Sequence, residues 1–78
     1  MTKKDRPFNR LAELLGQRVL IYPKGTTTVY SGVLISFDAH LNLWLEDVKY
    51  EKGLKLASLG VGLVRGDSIE GIFPATKH

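Results

Sequence analysis

The chain has 78 residues, enough for one domain and too few for two, because typical domains run to about 100 to 150 residues. It contains no cysteine, which excludes disulfides, and its only histidines, His40 and His78, are too few for a clustered metal site. Eleven basic against eight acidic residues give a net charge of +3, which permits an anionic partner without requiring one. We therefore expect no metal and no cofactor.

The apolar residues are spread along the chain rather than gathered in one run. No stretch of about 18 apolar residues occurs, and the first residues lack the apolar core of a signal peptide. We predict a cytoplasmic protein that makes no use of a membrane.

An energy balance for so short a chain predicts self-association. Area scaling for 8.7 kDa gives about 7,900 Å² buried on folding. If about 60% of that area is apolar, burial contributes about 118 kcal/mol, against about 117 kcal/mol of ordering entropy. Since the two terms cancel and neither a disulfide nor a metal is expected, we predict that copies of the chain stabilise one another.

The first predicted element is a short helix between Asp5 and Gly16, which follows a flexible basic N-terminus of residues 1–5. Asp5 is a candidate N-cap, Pro7 falls in the first turn, and Gly16 follows the last turn. Four apolar residues share one stripe of this helix, namely Phe8, Leu11, Leu14 and Leu15. We expect that stripe to lie on a sheet.

Beyond Gly16 the pattern becomes that of strands, because Val, Ile, Leu, Tyr and Thr dominate and glycines punctuate the chain. Five strands are predicted, at about 17–23, 28–38, 41–51, 54–65 and 68–73. Since short links join antiparallel neighbours, we expect a mostly β meander that bends strongly to close on itself.

The third predicted strand shows the clearest alternation. Leu41, Leu43 and Leu45 fall on one face, which we expect to be the core. The opposite face carries Asn42, Trp44 and Glu46. Asn42 should therefore point out of the core, while Trp44 could pack under the helix, lie at a subunit seam or face solvent.

Two segments carry motifs. Residues 32–47 read Gly-Val-Leu-Ile-Ser-Phe-Asp-Ala-His-Leu-Asn-Leu-Trp-Leu-Glu-Asp, which closely resembles the first Sm motif. Residues 59–69 read Leu-Gly-Val-Gly-Leu-Val-Arg-Gly-Asp-Ser-Ile, which resembles the second. With Arg-Pro-Phe-Asn at 6–9 before them, the resemblance to the Sm-like (LSm) family, archaeal members above all, spans about residues 6–74.

The resemblance implies a single Sm domain at 6–74, with the first motif at about 17–47, the second at about 59–73 and a flexible C-terminus at 75–78. Its Sm fold is a short N-terminal helix on a strongly bent five-stranded antiparallel barrel (SH3/OB-like). The fourth strand of one copy pairs with the fifth of the next in a homo-oligomeric ring, heptameric in archaeal members. The implied function is binding of single-stranded uridine-rich RNA at the pore, in RNA processing or metabolism, with RNA-processing proteins as further partners.

By position, the resemblance assigns RNA binding to His40, Asn42, Arg65, Gly66 and Asp67. His40 and Arg65 have flat faces on which a base can stack. The Asn42 amide can accept from uracil N3–H and donate to a carbonyl, and if Asp67 takes its second hydrogen the amide cannot flip to suit cytosine. We expect Gly66 to adopt positive φ in a tight turn.

Other residues carry weaker assignments. Asp38 is predicted to orient the loop by bonding backbone N–H groups, since Asp38 and His40 alone do not make a metal site. Basic residues near the helix could contact phosphates outside the pore, although such runs are usually just solvated. They are Lys3, Lys4, Arg6 and Arg10.

Two other classes of function compete with RNA binding. An isolated loop histidine is more often solvated than a ligand, so the same barrel could be an oligomeric scaffold or interaction module without intrinsic RNA binding. An enzyme is not expected, because the chain offers no set of nucleophile, base and orienting group.

Overall fold

The computed structural model describes residues 7–75, with side chains from Arg10 onward. The predicted flexible N-terminus and all but the first residue of the predicted C-terminal tail lie outside the described residues, as does the side chain of Phe8. Ala75, the first residue of that tail, donates its N–H to the carbonyl of Arg18 at 3.0 Å.

The N-terminal helix, α1 (Pro7–Ala12), is shorter than predicted. After it, the N–H groups of residues 13–15 each bond to the carbonyl three residues back, so the chain winds more tightly than an α-helix. Leu11 is buried and Leu14 packs against the core, but Leu15 is 43% exposed because the tighter turn rotates it away from the predicted stripe. No helix in the described part of the chain is long and apolar enough to cross a membrane.

Five strands follow and confirm the predicted mostly β fold. Their bounds are β1 (Arg18–Pro23), β2 (Val29–Phe37), β3 (Leu43–Lys52), β4 (Lys55–Val64) and β5 (Ile69–Pro74). All pair antiparallel in one sheet with the order β4-β3-β2-β1-β5.

The meander prediction holds for β1 to β4, and β5 pairs with β1 as expected of a sheet that closes on itself, but the pairing of β4 with β5 that the short link predicts is absent. A short 3-10 turn, Gly66–Ser68, links β4 to β5, yet β5 pairs with β1 instead of β4. The strong bend of the sheet brings its two edges close enough for a short link without pairing them. Within the described chain, β4 and β5 are therefore the edge strands, and each has one unpaired side.

The bend coincides with breaks in strand register. The β2–β3 pairing shifts around Gly32, and the β3–β4 pairing shifts between Leu45 and Val48. Asp47 lies at the second break with a φ of 50°, and its carboxylate pairs with the guanidinium of Arg18. That guanidinium also donates to the Asp47 carbonyl at 3.3 Å, which ties β1 to the distorted part of β3.

The core lies inside the bent sheet. Five side chains are fully buried, namely Val19, Ile21, Leu34, Leu43 and Leu45. The expectation that Leu41 joins them is wrong, because β3 begins only at Leu43 and Leu41 precedes it with a φ of 64° and 37% exposure. Trp44 is 41% exposed on the outer face of the sheet, where alternation placed it.

Candidate functional site

The turn between β2 and β3 is organised by one carboxylate. Oδ1 of Asp38 accepts the backbone N–H of His40 at 2.9 Å and that of Asn42 at 3.0 Å. The N–H of Leu41 donates to the Asp38 carbonyl at 3.0 Å. These bonds hold the turn as a rigid loop in the manner of an Asx turn.

The same bonds hold Asp38 in its charged form. The backbone N–H of Asn42, then its side-chain amide, keep the pKa of Asp38 below its ordinary value, because each donates to the carboxylate. A lowered pKa means that the turn's stabilisation is present above the ordinary carboxyl pKa and is lost only as the pH falls through the lowered one. The turn should therefore be insensitive to pH near neutrality.

The Asn42 amide is fixed at both ends. Its Nδ2 donates to Oδ2 of Asp38 at 3.0 Å, and its Oδ1 accepts the N–H of Gly66 at 3.0 Å. The expectation that Asp67 orients this amide is wrong, because the Asp67 carboxylate lies 3.5 Å from the guanidinium of Arg65 instead. One amide hydrogen and one oxygen lone pair of Asn42 remain available to a ligand.

Gly66 is needed for close approach and not for the positive φ that we expected. Among the described glycines, those with positive φ are Gly16, Gly25, Gly53 and Gly60, and Gly66 is not one of them. A Cβ at Gly66 would overlap the carbonyl oxygen of His40 and stand 2.8 Å from that of Leu41. The 3-10 turn therefore packs its backbone directly against the β2–β3 turn.

The charged side chains around this junction face solvent. Arg65 and Asp67 are 75% and 74% exposed, and His40 is exposed on the facing turn. Arg65 directly precedes Gly66, and His40 contributes the carbonyl against which Gly66 packs, so both flank the junction. His40 and Arg65 are thus exposed on the two turns that meet at the Asn42 amide.

Of the four basic residues predicted to contact phosphates outside the pore, the structure describes the side chain of Arg10 alone. Arg10 lies 3.5 Å from the carboxylate of Glu13 and lines a recess together with Leu41 and Gly66. Lys3, Lys4 and Arg6 lie outside the described residues. Among residues 7–75, no group of three or more histidine, cysteine or acidic side chains is placed to hold a metal ion.

Sequence reasoning missed the part that backbone carbonyls play in the site. The carbonyls of His40 and Leu41 form the wall against which Gly66 packs, and the positive φ of Leu41 turns the chain there. A glycine or asparagine would have signalled such a backbone conformation, whereas leucine rarely adopts it and gave no signal. A glycine in a sequence indicates either a positive φ or a close approach of two backbones. The sequence alone could not show that Gly66 is needed for the close approach.

The fold and this junction of two turns define an Sm-like protein, and comparison with known families agrees. The sequence model of the LSM domain matches residues 9–74, so the chain belongs to the LSM (Sm-like) family. This confirms the resemblance drawn from the two motifs.

Its relatives include archaeal proteins. A protein of Thermococcus sibiricus, described as snRNP Sm-like, is 35% identical over 71 residues, covering 90% of this chain and 92% of the relative. Among solved structures, the P. aerophilum SmAP1 heptamer superposes with a TM-score of 0.87 at 27% identity, covering 99% of this chain and 100% of that one. A Pyrococcus abyssii Sm protein in complex with a uridine heptamer superposes with a TM-score of 0.82 at 29% identity, covering 91% and 100%.

Proposed function

We propose that this chain is a ring-forming, non-enzymatic RNA-binding protein that holds single-stranded uridine-rich RNA at its pore. It would act in the cytoplasm, in RNA processing or metabolism, as a single domain of about residues 6–74. The observation that carries the proposal is the Asn42 amide, fixed on one side by Asp38 and on the other by Gly66. The similar Pyrococcus abyssii protein, solved with a uridine heptamer, supports the choice of RNA.

The fixed amide has the pattern that uracil needs. Uracil presents an N3–H donor beside carbonyl acceptors, so it pairs with one lone pair and one N–H of the amide. Cytosine presents an acceptor at N3 beside an amino donor, which would require the amide to turn over. Turning it over would place NH₂ against the Gly66 N–H and oxygen against the Asp38 carboxylate. Both contacts are repulsive, so the amide is locked for uracil.

Selectivity should therefore depend on Asp38. In Asp38→Asn, the amide oxygen can still accept the two backbone N–H groups, but the new NH₂ faces the NH₂ of Asn42. Neither orientation of the Asn42 amide then makes favourable contacts on both sides. The ratio of oligo-uridine to oligo-cytidine affinity should therefore fall by about tenfold, which is the change in affinity expected from the loss of one polar contact. Fluorescence anisotropy with both oligomers at one salt concentration measures that ratio.

Asp67→Ala is the matched control, because it removes a carboxylate of the same site that does not bond to Asn42. It should keep the wild-type uridine preference. If Asp67→Ala loses the preference while Asp38→Asn retains it, the amide is oriented in the complex by Asp67 and our assignment fails.

Stacking should supply much of the affinity. We propose that a base lies between the flat side chains of His40 and Arg65 while Asn42 reads its edge. Replacing either flanking residue by alanine should weaken oligo-uridine binding by about 1 to 3 kcal/mol per pocket, the contribution of one stacked face. Titration by anisotropy, on rings verified by native mass spectrometry, gives this number.

Lys52→Ala is the matched control for Arg65→Ala, since it removes the same charge from an exposed position in the β3–β4 hairpin. Equal losses in the two variants would mean that only overall charge matters. A ring that binds no oligo-uridine at any salt concentration would instead favour the scaffold function, because RNA contacts release counterions and a protein interface need not.

Ring formation is supported by where apolar side chains are exposed. Of the large hydrophobic residues that are at least 37% exposed, four lie on β4: Leu56, Leu59, Val61 and Leu63. At the opposite edge, Phe73 of β5 and Tyr22 of β1 are 53% and 39% exposed and stack edge to face with 5.4 Å between centroids. Two apolar, unpaired strand edges on one molecule form complementary surfaces for a second copy.

An apolar recess also lies beside each of the two edge strands, β5 and β4. One of about 360 Å³ lies along β5 and α1 and includes Leu11, Leu14, Ile69 and Ile72. The other, about 390 Å³, lies behind β4 and includes Tyr30, Val48, Leu59 and Val61. We propose that β4 of each copy pairs with β5 of the next until a ring closes, with seven copies as in the P. aerophilum protein. RNA-processing proteins would be further partners of the ring.

A further inference from the structure

Leu41 connects the candidate site to the edge at which we propose that copies meet. It lies between His40 and Asn42 in the β2–β3 turn, and a Cβ at Gly66 would stand 2.8 Å from its carbonyl oxygen. It also lines the recess of about 360 Å³ beside β5, together with Gly66 and Ile72. One residue is therefore part of both the site and the edge surface.

The backbone of Leu41 adopts a conformation that leucine disfavours. Its φ of 64° lies in the left-handed region, where Cβ approaches the following carbonyl oxygen. The turn is held there by Asp38, which accepts the N–H groups of His40, Leu41 and Asn42. Since His40 and Asn42 are exposed, water competes for these bonds. Because a strained residue persists only where its surroundings hold it, the contacts of the Leu41 side chain matter for the geometry of the turn.

The next copy in the ring would supply such a contact. In one copy, Leu41 is 37% exposed and the recess that it lines opens at the surface. When β4 of the next copy pairs with β5, the recess behind that strand would adjoin this one, and the next copy's Leu59 and Val61 would close it. An outward movement of the turn would then expose apolar surface again, which the hydrophobic effect opposes. Ring closure would therefore hold the turn against Gly66.

We propose that Leu41 is a positioning residue, through which the next copy in the ring holds His40 and Asn42 in the geometry that binds uridine. The inference rests on the proposed function, both its uridine site and its β4–β5 pairing. It adds that the site of a single copy is incomplete. Each pocket should then bind more tightly in the ring than alone because it is preorganised, apart from the avidity of linked pockets.

Variants of the intact ring test the role of the Leu41 side chain. Uridine 5′-monophosphate is the ligand, because it occupies one pocket and so excludes avidity. If the turn with a truncated side chain keeps the binding geometry for about a fifth of the time, Leu41→Ala should bind this nucleotide about fivefold more weakly than the wild type. Leu41→Met, which restores an apolar side chain of similar volume, should bind within about twofold of the wild type. NMR titration followed at the Gly66 amide measures the affinity.

Leu14→Ala is the matched control, because it removes the same atoms from the same recess but lies outside the turn. Rings of this variant, verified by native mass spectrometry, should keep the wild-type affinity for the nucleotide. Equal losses in Leu14→Ala and Leu41→Ala would overturn the inference, since filling of the recess would then matter and the link to the turn would not.

Hydrogen exchange tests the turn without any ligand. The Asn42 N–H is bonded within the turn, so its exchange reports on opening of the turn, whereas the Leu34 N–H lies in the core and reports on unfolding of the whole copy. Relative to Leu34, Asn42 should exchange at least about fivefold faster in Leu41→Ala rings than in wild-type rings.

Val61→Lys extends the test to separated copies, since it places a charge at the proposed contact between them. Its monomers should bind the nucleotide at least about fivefold more weakly than rings of Leu54→Lys, which carry the same charge at a fully exposed residue. This comparison decides if Leu41→Ala does not form rings. The Leu41 variants decide if the monomers unfold.

The results that would overturn the inference are distinguishable. Leu41→Ala rings that match the wild type in nucleotide affinity and in Asn42 exchange would remove the role of Leu41 and leave the proposed function standing. A wild-type ring that binds no oligo-uridine would remove both. A Val61→Lys protein of unchanged mass would show that β4 of the next copy does not cover the recess, which overturns the inference without bearing on uridine binding.

Discussion

Val61→Lys should convert the ring into monomers. Val61 is 56% exposed on edge strand β4, where it also lines the recess behind that strand. In a ring, that position would be buried against β5 of the next copy, and an unpaired ammonium there must lose its hydration. Native mass spectrometry should show a shift from about 61 kDa, seven times 8.7 kDa, to 8.7 kDa.

Leu54→Lys is the matched control, because it introduces the same charge at a fully exposed residue just before β4. β5 has six residues and β4 has ten, so the neighbouring copy cannot cover the whole of β4. We expect the control to remain a ring. The Val61→Lys monomer should also lose oligo-uridine affinity, since the linked pockets then act singly. A Val61→Lys protein that keeps the wild-type mass would show that the copies meet elsewhere.

Local patterns made most of the fold predictable. Alternation along β3 correctly separated Leu43 and Leu45 from Trp44, because side chains on a strand alternate whatever the rest of the chain does. The same rule failed at Leu41, which precedes the strand and has a positive φ. The short link between β4 and β5 wrongly predicted that these two strands pair within one copy, because a short link predicts paired neighbours only when the sheet is not bent back on itself.

The candidate site depends on contacts between residues that are distant in sequence, and local sequence patterns do not predict such contacts. Sequence motifs brought Asn42 and Gly66 into one hypothesis, but the bond between them joins residues 24 positions apart. Two carboxylates, Asp38 and Asp67, were available to orient the amide. Composition and spacing could not choose between them, and the geometry of the β2–β3 turn selects Asp38.

Gly66→Ala should weaken uridine binding more than the loss of either stacking residue alone. The added methyl would overlap the His40 carbonyl oxygen, and backbone atoms of a turn held by Asp38 cannot move aside as a flexible side chain would. The two turns must separate, which breaks the bond from the Gly66 N–H to the Asn42 amide. Both stacking residues then lose their spacing, so affinity should fall by about 25-fold or more, at about 1 kcal/mol or more for each face.

Gly62→Ala provides the control within the same motif. A Cβ there meets only a methyl of Val48 at 3.7 Å, an ordinary packing distance, so the same added methyl should be tolerated. Anisotropy with oligo-uridine, alongside native mass spectrometry, separates loss of the site from loss of the ring. We expect Gly66→Ala to keep β4 and β5 and hence the ring, because the strain falls on the turn between them. A Gly66→Ala ring that binds uridine as tightly as Gly62→Ala would show that the RNA lies away from the two turns.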